Sequence, residues 1–149
     1  MRAFFSVTAA FLLATFTGAT AQTMKPGVTT WIYELGEELR ELPVLVDGQT
    51  PNVSGDHDNI DFTGSWPSIY GTPVSQYYLG HTWGKIVIPT GGTYEFRLTS
   101  DDGAKFFVGE EATLVINNDT PGLTSSTATL SLLAGNYPFY VDFYQNTTG

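Results

Sequence analysis

Two adjacent acidic residues in the second half of the chain are the strongest candidates for a chemical role. Asp101 and Asp102 follow a strand-like segment and precede Gly103. Successive side chains of a regular strand point to opposite faces, so neighbouring aspartates cannot bind one ion in that conformation. A cis peptide bond between them would bring both carboxylates to one side, where their hard oxygen atoms suit Ca²⁺. The alternative is an ordinary solvated Asp-Asp-Gly turn.

A second acidic segment, at residues 56–61, has part of the spacing of a calcium-binding loop. Its polar side chains are those of Asp56, Asp58, Asn59 and Asp61. The segment lacks the glycine that such loops have at position 6, and Pro67 stands where the bidentate glutamate is expected. We therefore predict a solvated loop, with a second, weak ion site as the alternative.

The rest of the sequence offers few groups for catalysis or for binding of transition metals. The absence of cysteine excludes disulfides, thiolate zinc sites and cysteine nucleophiles. His57 and His81, the only histidines, do not have the spacing of zinc ligands, and no G-x-S-x-G nucleophile motif occurs. No catalytic residue is predicted.

Aromatic residues make up 14% of the chain, and several of them lie close together between residues 66 and 83. Exposed aromatic rings can stack on sugar rings, whereas most aromatic residues fill protein cores. Both roles are open for this group, which consists of Trp66, Tyr70, Tyr77, Tyr78 and Trp83.

The first 21 residues have the layout of a secretory signal peptide. Arg2 precedes an apolar stretch that ends in an A-x-A cleavage pattern at residues 19–21. This stretch is shorter than the ~20 residues that a membrane-spanning helix needs. We expect a secreted protein, extracellular or in the periplasm or at the cell surface, without membrane insertion and with calcium available to it. In a host that glycosylates secreted proteins, the sequons at Asn52, Asn118 and Asn146 become candidate modification sites.

The composition is that of one folded, acidic domain. The chain has 149 residues, of which 42% are hydrophobic and 14% charged, and this differs from the charge-rich composition of disordered chains. The net charge of −9 and the absence of a Lys/Arg cluster exclude binding to nucleic acid through phosphate contacts. Sixteen glycines and eight prolines indicate many turns between short strands.

Alternation of apolar and polar residues predicts an all-β fold, an antiparallel β-sandwich or barrel. The predicted strands cover residues 27–34, 85–89, 93–100, 105–108, 113–117, 127–133 and 137–145. Residues 34–41 are predicted as a short helical turn, although Gly36 weakens that prediction. Residues 49–82 are predicted as an irregular region that short strands near 60–62 and 76–78 interrupt.

The second half of the chain resembles the PA-fourteen (PA14) domain family, which is named after the amino-terminal part of a toxin protective antigen. The matching residues are WGKIVIP at 83–89, GTYEFRL at 92–98, TSDDGAKFFV at 99–108, LSLLAGNYP at 130–138 and VDFYQ at 141–145. Residues 27–33 and 42–45 are compatible with the family. The resemblance therefore covers most of the chain after the signal peptide.

The resemblance implies a jelly-roll-type β-sandwich over residues 22–149 and, as in adhesin and glycosidase-associated members, carbohydrate binding. It also implies that Asp101 and Asp102 are the cis pair that holds Ca²⁺ in the calcium-dependent lectin members, where the ion binds sugar hydroxyls. Those members complete the site with a later loop that carries an asparagine. Asn146 is the only asparagine after the last predicted strand, and we do not assign it as a ligand. We therefore expect a domain truncated at its C-terminal end.

These observations together predict a secreted, non-catalytic, calcium-dependent carbohydrate-binding module whose partners are glycans or glycoconjugates. The alternative is a structural or interaction domain of a larger secreted enzyme or adhesin, whose partners are the other domains of a longer chain. The hypothesis of an independent hydrolase rests only on the family's association with glycosidases. The sequence adds nothing to it, because catalytic carboxylate pairs are recognised by their separation in space and not by their spacing in the sequence.

Overall fold

Eight β-strands, without any helix, make up the part of the chain that the structure describes. This structure is a computed structural model, and it describes residues 25–45, 48–60 and 76–147. The predicted signal peptide at residues 1–21 lies outside these ranges. Within them, no helix has the length and apolar character that crossing a membrane requires. The strands are β1 Val28–Glu34, β2 Val53–His57, β3 Tyr78–Ile88, β4 Gly92–Ser100, β5 Ala104–Val108, β6 Thr113–Asn118, β7 Thr124–Leu132 and β8 Gly135–Gln145.

The strands form two antiparallel sheets. The large sheet has six strands in the order β2-β1-β3-β8-β5-β6, and the small sheet pairs β4 with β7. The two central strands of the large sheet, β3 and β8, have 11 residues each and pair along their whole length. The predicted all-β, antiparallel β-sandwich is therefore confirmed.

The main hydrophobic core lies between the two sheets. Phe96 and Leu98 of β4 pack against buried residues of the large sheet, among them Phe106 and Val141. The alternation predicted for β4 is confirmed, because its apolar side chains are half-buried whereas Arg97 between them is exposed. β4 belongs to the small sheet and β5 to the large sheet, on opposite sides of this core. The chain between these strands therefore crosses from one sheet to the other.

A second apolar cluster covers one end of the outer face of the large sheet, the face turned away from β4 and β7. Leucine side chains of residues 35–45 pack there against Tyr33, Leu79 and Tyr144. The helical turn predicted over residues 34–41 is wrong. Gly36 has φ +73°, in the left-handed region, and the Leu39 N–H donates to the side chain of Asn146 instead of to a helical carbonyl.

The region between residues 49 and 82 contains more strand than the sequence predicted. β2 has the sequence VSGDH, whose glycine and aspartate are poor strand formers, yet it pairs with β1 from Val28 to Ile32. β3 begins at Tyr78, seven residues before the strand predicted to start at residue 85. The strand predicted near 60–62 is absent at Ile60, and residues 61 and 62 lie outside the described ranges.

Candidate functional site

The aspartate pair lies where the chain crosses between the two sheets. β4 of the small sheet ends at Ser100, and β5 of the large sheet begins at Ala104. The peptide bond between Asp101 and Asp102 is cis. The Asp101 side chain is exposed, whereas Asp102 is only 9% exposed. The two neighbouring carboxylates therefore have different surroundings.

Backbone N–H groups from two distant loops hold the Asp102 carboxylate. The N–H of Gly122, between β6 and β7, donates to Oδ1 at 2.9 Å, and the N–H of Asn146, after β8, donates to Oδ2 at 2.8 Å. Hydrogen bonds to an ionised carboxylate are stronger than those between neutral groups. A carboxylate oxygen can accept two hydrogen bonds, and each Asp102 oxygen accepts only one from the described residues, so both keep a lone pair for another ligand.

Gly103 completes the Asp-Asp-Gly sequence because a side chain does not fit there. Its carbonyl accepts a 2.9 Å hydrogen bond from the N–H of Tyr144 on β8. A Cβ atom at this position would overlap the aromatic ring of Tyr144. The glycine therefore allows the crossing segment to lie directly against the large sheet.

The carboxylate of Asp101 makes no hydrogen bond or ion pair with any described residue. Lys105, the next basic residue along the chain, is paired with Asp119 instead. Asp101 thus presents a free, exposed negative charge directly beside the buried charge of Asp102.

Three buried side-chain oxygen atoms of the described residues have no hydrogen-bond partner, and all three belong to residues next to the crossing segment. They are Oγ of Ser100, which precedes Asp101, Oδ1 of Asn118, whose residue pairs with Ala104 between β5 and β6, and the hydroxyl of Tyr144, whose ring lies against Gly103. The Asn118 amide nitrogen donates to the Leu98 carbonyl at 3.0 Å, so only its oxygen is unpaired. Buried polar atoms without a partner are rare and call for a specific explanation.

The donor chemistry of this region fits calcium better than zinc. The side-chain donor atoms available there are carboxylate, amide and hydroxyl oxygens, and Ca²⁺ prefers six to eight oxygen ligands. In the described ranges, no group of three or more His, Cys, Asp or Glu side chains surrounds a common point. An ion held by Asp101 and Asp102 therefore needs further oxygens from amides, carbonyls, water or a bound ligand. The Asn146 side chain is already engaged, because it binds both the N–H and the carbonyl of Leu39.

The second acidic segment does not form the predicted loop throughout. Asp56 belongs to β2, where its Oδ1 accepts a 2.9 Å hydrogen bond from the Thr29 hydroxyl and Oδ2 contacts Lys25 Nζ at 3.4 Å. The Thr29 hydrogen bond, and secondly Lys25, lower the pKa of the Asp56 carboxyl. Asp58 is exposed, and Asp61 lies outside the described ranges. Asp56 therefore has structural partners, of which Thr29 lies on the neighbouring strand β1.

The aromatic group predicted at residues 66–83 divides between core and surface. Tyr78 is buried at 2% exposure, whereas Trp83 is half-buried on the outer face of the large sheet. Trp66 and Tyr70 lie outside the described ranges. The structure adds surface aromatic residues that the sequence analysis missed, namely Trp31, Phe107 and Tyr140. The signal for them was their alternation with core residues on β1, β5 and β8.

Burial decides which sequons are accessible in the folded domain. Asn118 is 2% exposed and Asn146 is 6% exposed, so neither can carry a glycan without local unfolding. Asn52 is exposed, although its side-chain oxygen accepts a 2.9 Å hydrogen bond from the Glu34 N–H. Only Asn52 therefore remains as a candidate site of glycosylation.

Comparisons with known proteins agree with this architecture. The PA14 domain model matches residues 24–149. A PA14 sugar-binding domain from an RTX adhesin is 18% identical with a TM-score of 0.62, and the match covers 81% of this chain and 84% of that one. The Epithelial Adhesin 9 A domain from Candida glabrata, in complex with Galb1-4GlcNAc, is 17% identical with a TM-score of 0.54, covering 82% and 76%.

A much longer enzyme also contains this fold. The β-glucosidase from Kluyveromyces marxianus, in complex with glucose, is 18% identical with a TM-score of 0.56, and the match covers 78% of this chain but only 14% of the glucosidase. A comparison with curated protein sequences gives no match. The predicted resemblance is confirmed, because the family model extends over nearly all of the chain after residue 23 and its members share the observed sandwich. This chain belongs to the PA14 domain family.

Proposed function

We propose that this chain is a secreted, non-catalytic carbohydrate-binding module that binds glycans through a Ca²⁺ ion held by Asp101 and Asp102. The observation that carries the proposal is the free Asp101 carboxylate beside the Asp102 carboxylate, whose position is set by the N–H groups of Gly122 and Asn146. Two adjacent negative charges repel each other, and a divalent cation removes that repulsion. The unpaired oxygens of Ser100 and Asn118 add acceptors at the same end of the sandwich.

The glycan part of the proposal rests on family membership together with the nature of the site. The names of the RTX adhesin domain and of the Candida glabrata adhesin complex state that these proteins bind sugars. A Ca²⁺ ion with only two carboxylate ligands keeps coordination positions for sugar hydroxyls. The net charge of −9 disfavours anionic ligands, so we expect the glycan to be neutral.

Thermal unfolding with and without calcium tests the ion site. We expect Ca²⁺ to raise the Tm of the wild-type protein, because an ion that binds only the folded state stabilises it. Asp101→Asn should abolish that increase. Asp58→Asn, which removes the same charge from an exposed residue of the other acidic segment, should keep it. An unchanged calcium effect in Asp101→Asn would place the ion elsewhere.

A glycan array tests the ligand. The wild-type protein should bind at least one class of neutral glycan more strongly with calcium than in excess EDTA, and Asp101→Asn should lose this calcium-dependent part of the binding. Equal binding of every glycan with calcium and in EDTA contradicts the calcium mechanism, and the absence of binding to any glycan with calcium present contradicts the carbohydrate-binding proposal itself.

The second candidate function is a structural or interaction domain within a larger secreted enzyme or adhesin. The observation that favours it is the β-glucosidase match, in which this fold makes up only 14% of the chain. This candidate gains support if the protein binds neither calcium nor glycans but associates stably with a catalytic domain encoded in the same gene. Glycan binding by the isolated chain favours the first candidate.

A further inference from the structure

The outer face of the large sheet carries a continuous band of aromatic rings that does not include the aspartate pair. It consists of Trp31 on β1, His81 and Trp83 on β3, Tyr140 on β8 and Phe107 on β5, and is here named the aromatic band. The strand register places Trp31 opposite His81, Trp83 opposite Tyr140, and Tyr140 opposite Phe107. Because residues opposite each other share a face, all five side chains lie on the same side of four adjacent strands.

The rings contact one another along the whole band. Phe107 and Tyr140 are stacked, with centroids 4.3 Å apart and planes inclined by 17°. His81 lies 5.2 Å from Tyr140 and 5.3 Å from Trp83. Trp31 meets Trp83 edge to face at 4.4 Å. These mutual contacts fix the ring orientations in advance, which lowers the entropic cost of binding a ligand.

The band is partly exposed and is bordered by further apolar surface. Trp31 is 37% exposed. Leu114 of the edge strand β6, which pairs with Phe107 of β5, is 46% exposed. Neighbouring strands are about 4.8 Å apart, so four strands give the band a length of roughly 14 Å. This shape fits an elongated ligand better than a single sugar ring.

Polar groups lie inside the band and not only around it. Nδ1 of His81 and Oδ1 of Asp142 are 2.5 Å apart, and both side chains are partly exposed, at 23% and 22%. Burial, and secondly the charge of Asp142, raise the pKa of the Tyr140 hydroxyl, which keeps its proton and remains a donor. The centres of protein-binding interfaces are depleted of charged residues, whereas a sugar needs both ring faces and hydrogen-bonding groups.

We propose that the aromatic band is a second glycan-binding surface, which takes a neutral linear oligosaccharide without calcium. This inference rests on the proposed function for the class of its ligand, a glycan. The residues of the aromatic band are different from those of the aspartate pair. The C–H groups of the sugar pack against the exposed parts of Trp31, Trp83 and Phe107, while its hydroxyls bond to Asp142 and Tyr140. The net charge of −9 excludes polyanionic ligands such as nucleic acid.

NMR titration of the wild-type protein in EDTA tests this proposal. The probes are cellohexaose, xylohexaose, mannohexaose and maltohexaose, and the readout is the indole N–H signals of Trp31 and Trp83. We expect at least one probe to shift both signals. Trp31→Ala should weaken that binding about 10-fold, the equivalent of about 1.4 kcal/mol. Val87→Ala is the matched control, because Val87 lies four residues after Trp83 on the same face of β3, is 60% exposed and should leave the affinity unchanged.

The outcomes separate this proposal from the calcium site. Binding in EDTA that Asp101→Asn leaves intact and Trp31→Ala weakens supports the aromatic band. If no probe moves the indole signals, or if Trp31→Ala binds as tightly as the wild type, the proposal is overturned. Calcium-dependent binding that Asp101→Asn abolishes, with the indole signals unmoved, overturns it while leaving the proposed function standing. Should Trp31→Ala fail to fold, the wild-type titration decides alone.

Discussion

At the scale of single residues, the two aspartates differ in what they contribute to the fold. Asp102 is buried and accepts two backbone N–H groups from separate loops, so it fixes the end of the sandwich. Asp101 is exposed and unbonded, so it has no comparable structural task among the described residues. Mutation of each residue should therefore have a different effect on stability in the absence of calcium.

Asp102→Ala should lower the free energy of unfolding by about 2–4 kcal/mol, because it leaves one buried and one partly buried N–H donor without an acceptor. Asp101→Ala should change it by no more than about 0.5 kcal/mol, as expected of an exposed side chain without partners. Urea denaturation in EDTA measures both values. Equal effects of the two substitutions would contradict the division of roles.

Tyr144 makes stability depend on pH in the alkaline range. Burial, and then the charges of Asp119, Asp102 and Glu41, raise the pKa of its hydroxyl from 10.0 to about 12. Between pH 10 and 12 the unfolded state loses this proton while the folded state keeps it, so the free energy of unfolding falls as pH rises. Tyr78, which is also buried, acts in the same direction, because burial raises the pKa of its hydroxyl too.

Tyr144→Phe should reduce that alkaline loss of stability. Its hydroxyl is buried and has no hydrogen-bond partner, so the substitution should not destabilise the protein at pH 7. Urea denaturation at pH 7, 9 and 11 compares the variant with the wild type. An unchanged slope between pH 9 and 11 would assign the alkaline sensitivity to other groups.

At the scale of elements, the irregular segment 35–45 is held in place by side chains and not by secondary structure of its own. Asn146 binds the N–H of Leu39 at 2.7 Å and its carbonyl at 2.9 Å, and Asp119 accepts from the N–H of Leu42 at 2.7 Å. The leucines of the segment then cover Tyr33 and Leu79. These tertiary hydrogen bonds replace those of the helical turn that the sequence suggested.

Asn146→Ala should release this segment. Both hydrogen bonds to Leu39 are lost, and we expect the free energy of unfolding to fall by about 1–3 kcal/mol. Hydrogen exchange at the Leu39 amide should accelerate more than exchange at β3 or β8, because the loss is local. Asn59→Ala, at an exposed asparagine, is the control. Uniform acceleration over all strands would show that Asn146 supports the whole sandwich equally.

At the scale of the whole molecule, the two sheets share one core and should unfold together. β4 and β7 form a sheet of only two strands, and such a pair is not stable by itself in water. It depends on contacts such as that between Phe96 and Phe106, whose rings lie 5.5 Å apart. The position of the aspartate pair between the sheets depends on the same contacts.

Phe96→Ala should lower the free energy of unfolding by about 2–4 kcal/mol, slightly less than for a fully buried phenylalanine. Arg97→Ala, at the next position and on the exposed side of β4, should stay within about 0.5 kcal/mol. The far-ultraviolet circular dichroism and the tryptophan fluorescence should report one common transition in urea. Two separate transitions would mean that the small sheet unfolds independently.

The amino-acid sequence alone determined the all-β class and most strands of the second half of the chain. Alternation along β4 and β8 predicts which side chains face the core, because side-chain direction in a strand repeats every two residues. The sequence also singled out Asp101 and Asp102, whose adjacency is a local property. Its limits show in β2, where pairing with β1 overrides the weak strand propensity of Gly55 and Asp56.

Only the tertiary structure decided what surrounds these local features. The two donors of Asp102 lie 20 and 44 residues away in the sequence, and no local pattern announces them. The aromatic band likewise joins β1, β3, β5 and β8, and its continuity depends on strand order and register. Side-chain alternation is set by the geometry of a single strand, so it can be predicted from the sequence. Which strands are neighbours is set by the packing of the entire domain, so it cannot be predicted from a local sequence pattern.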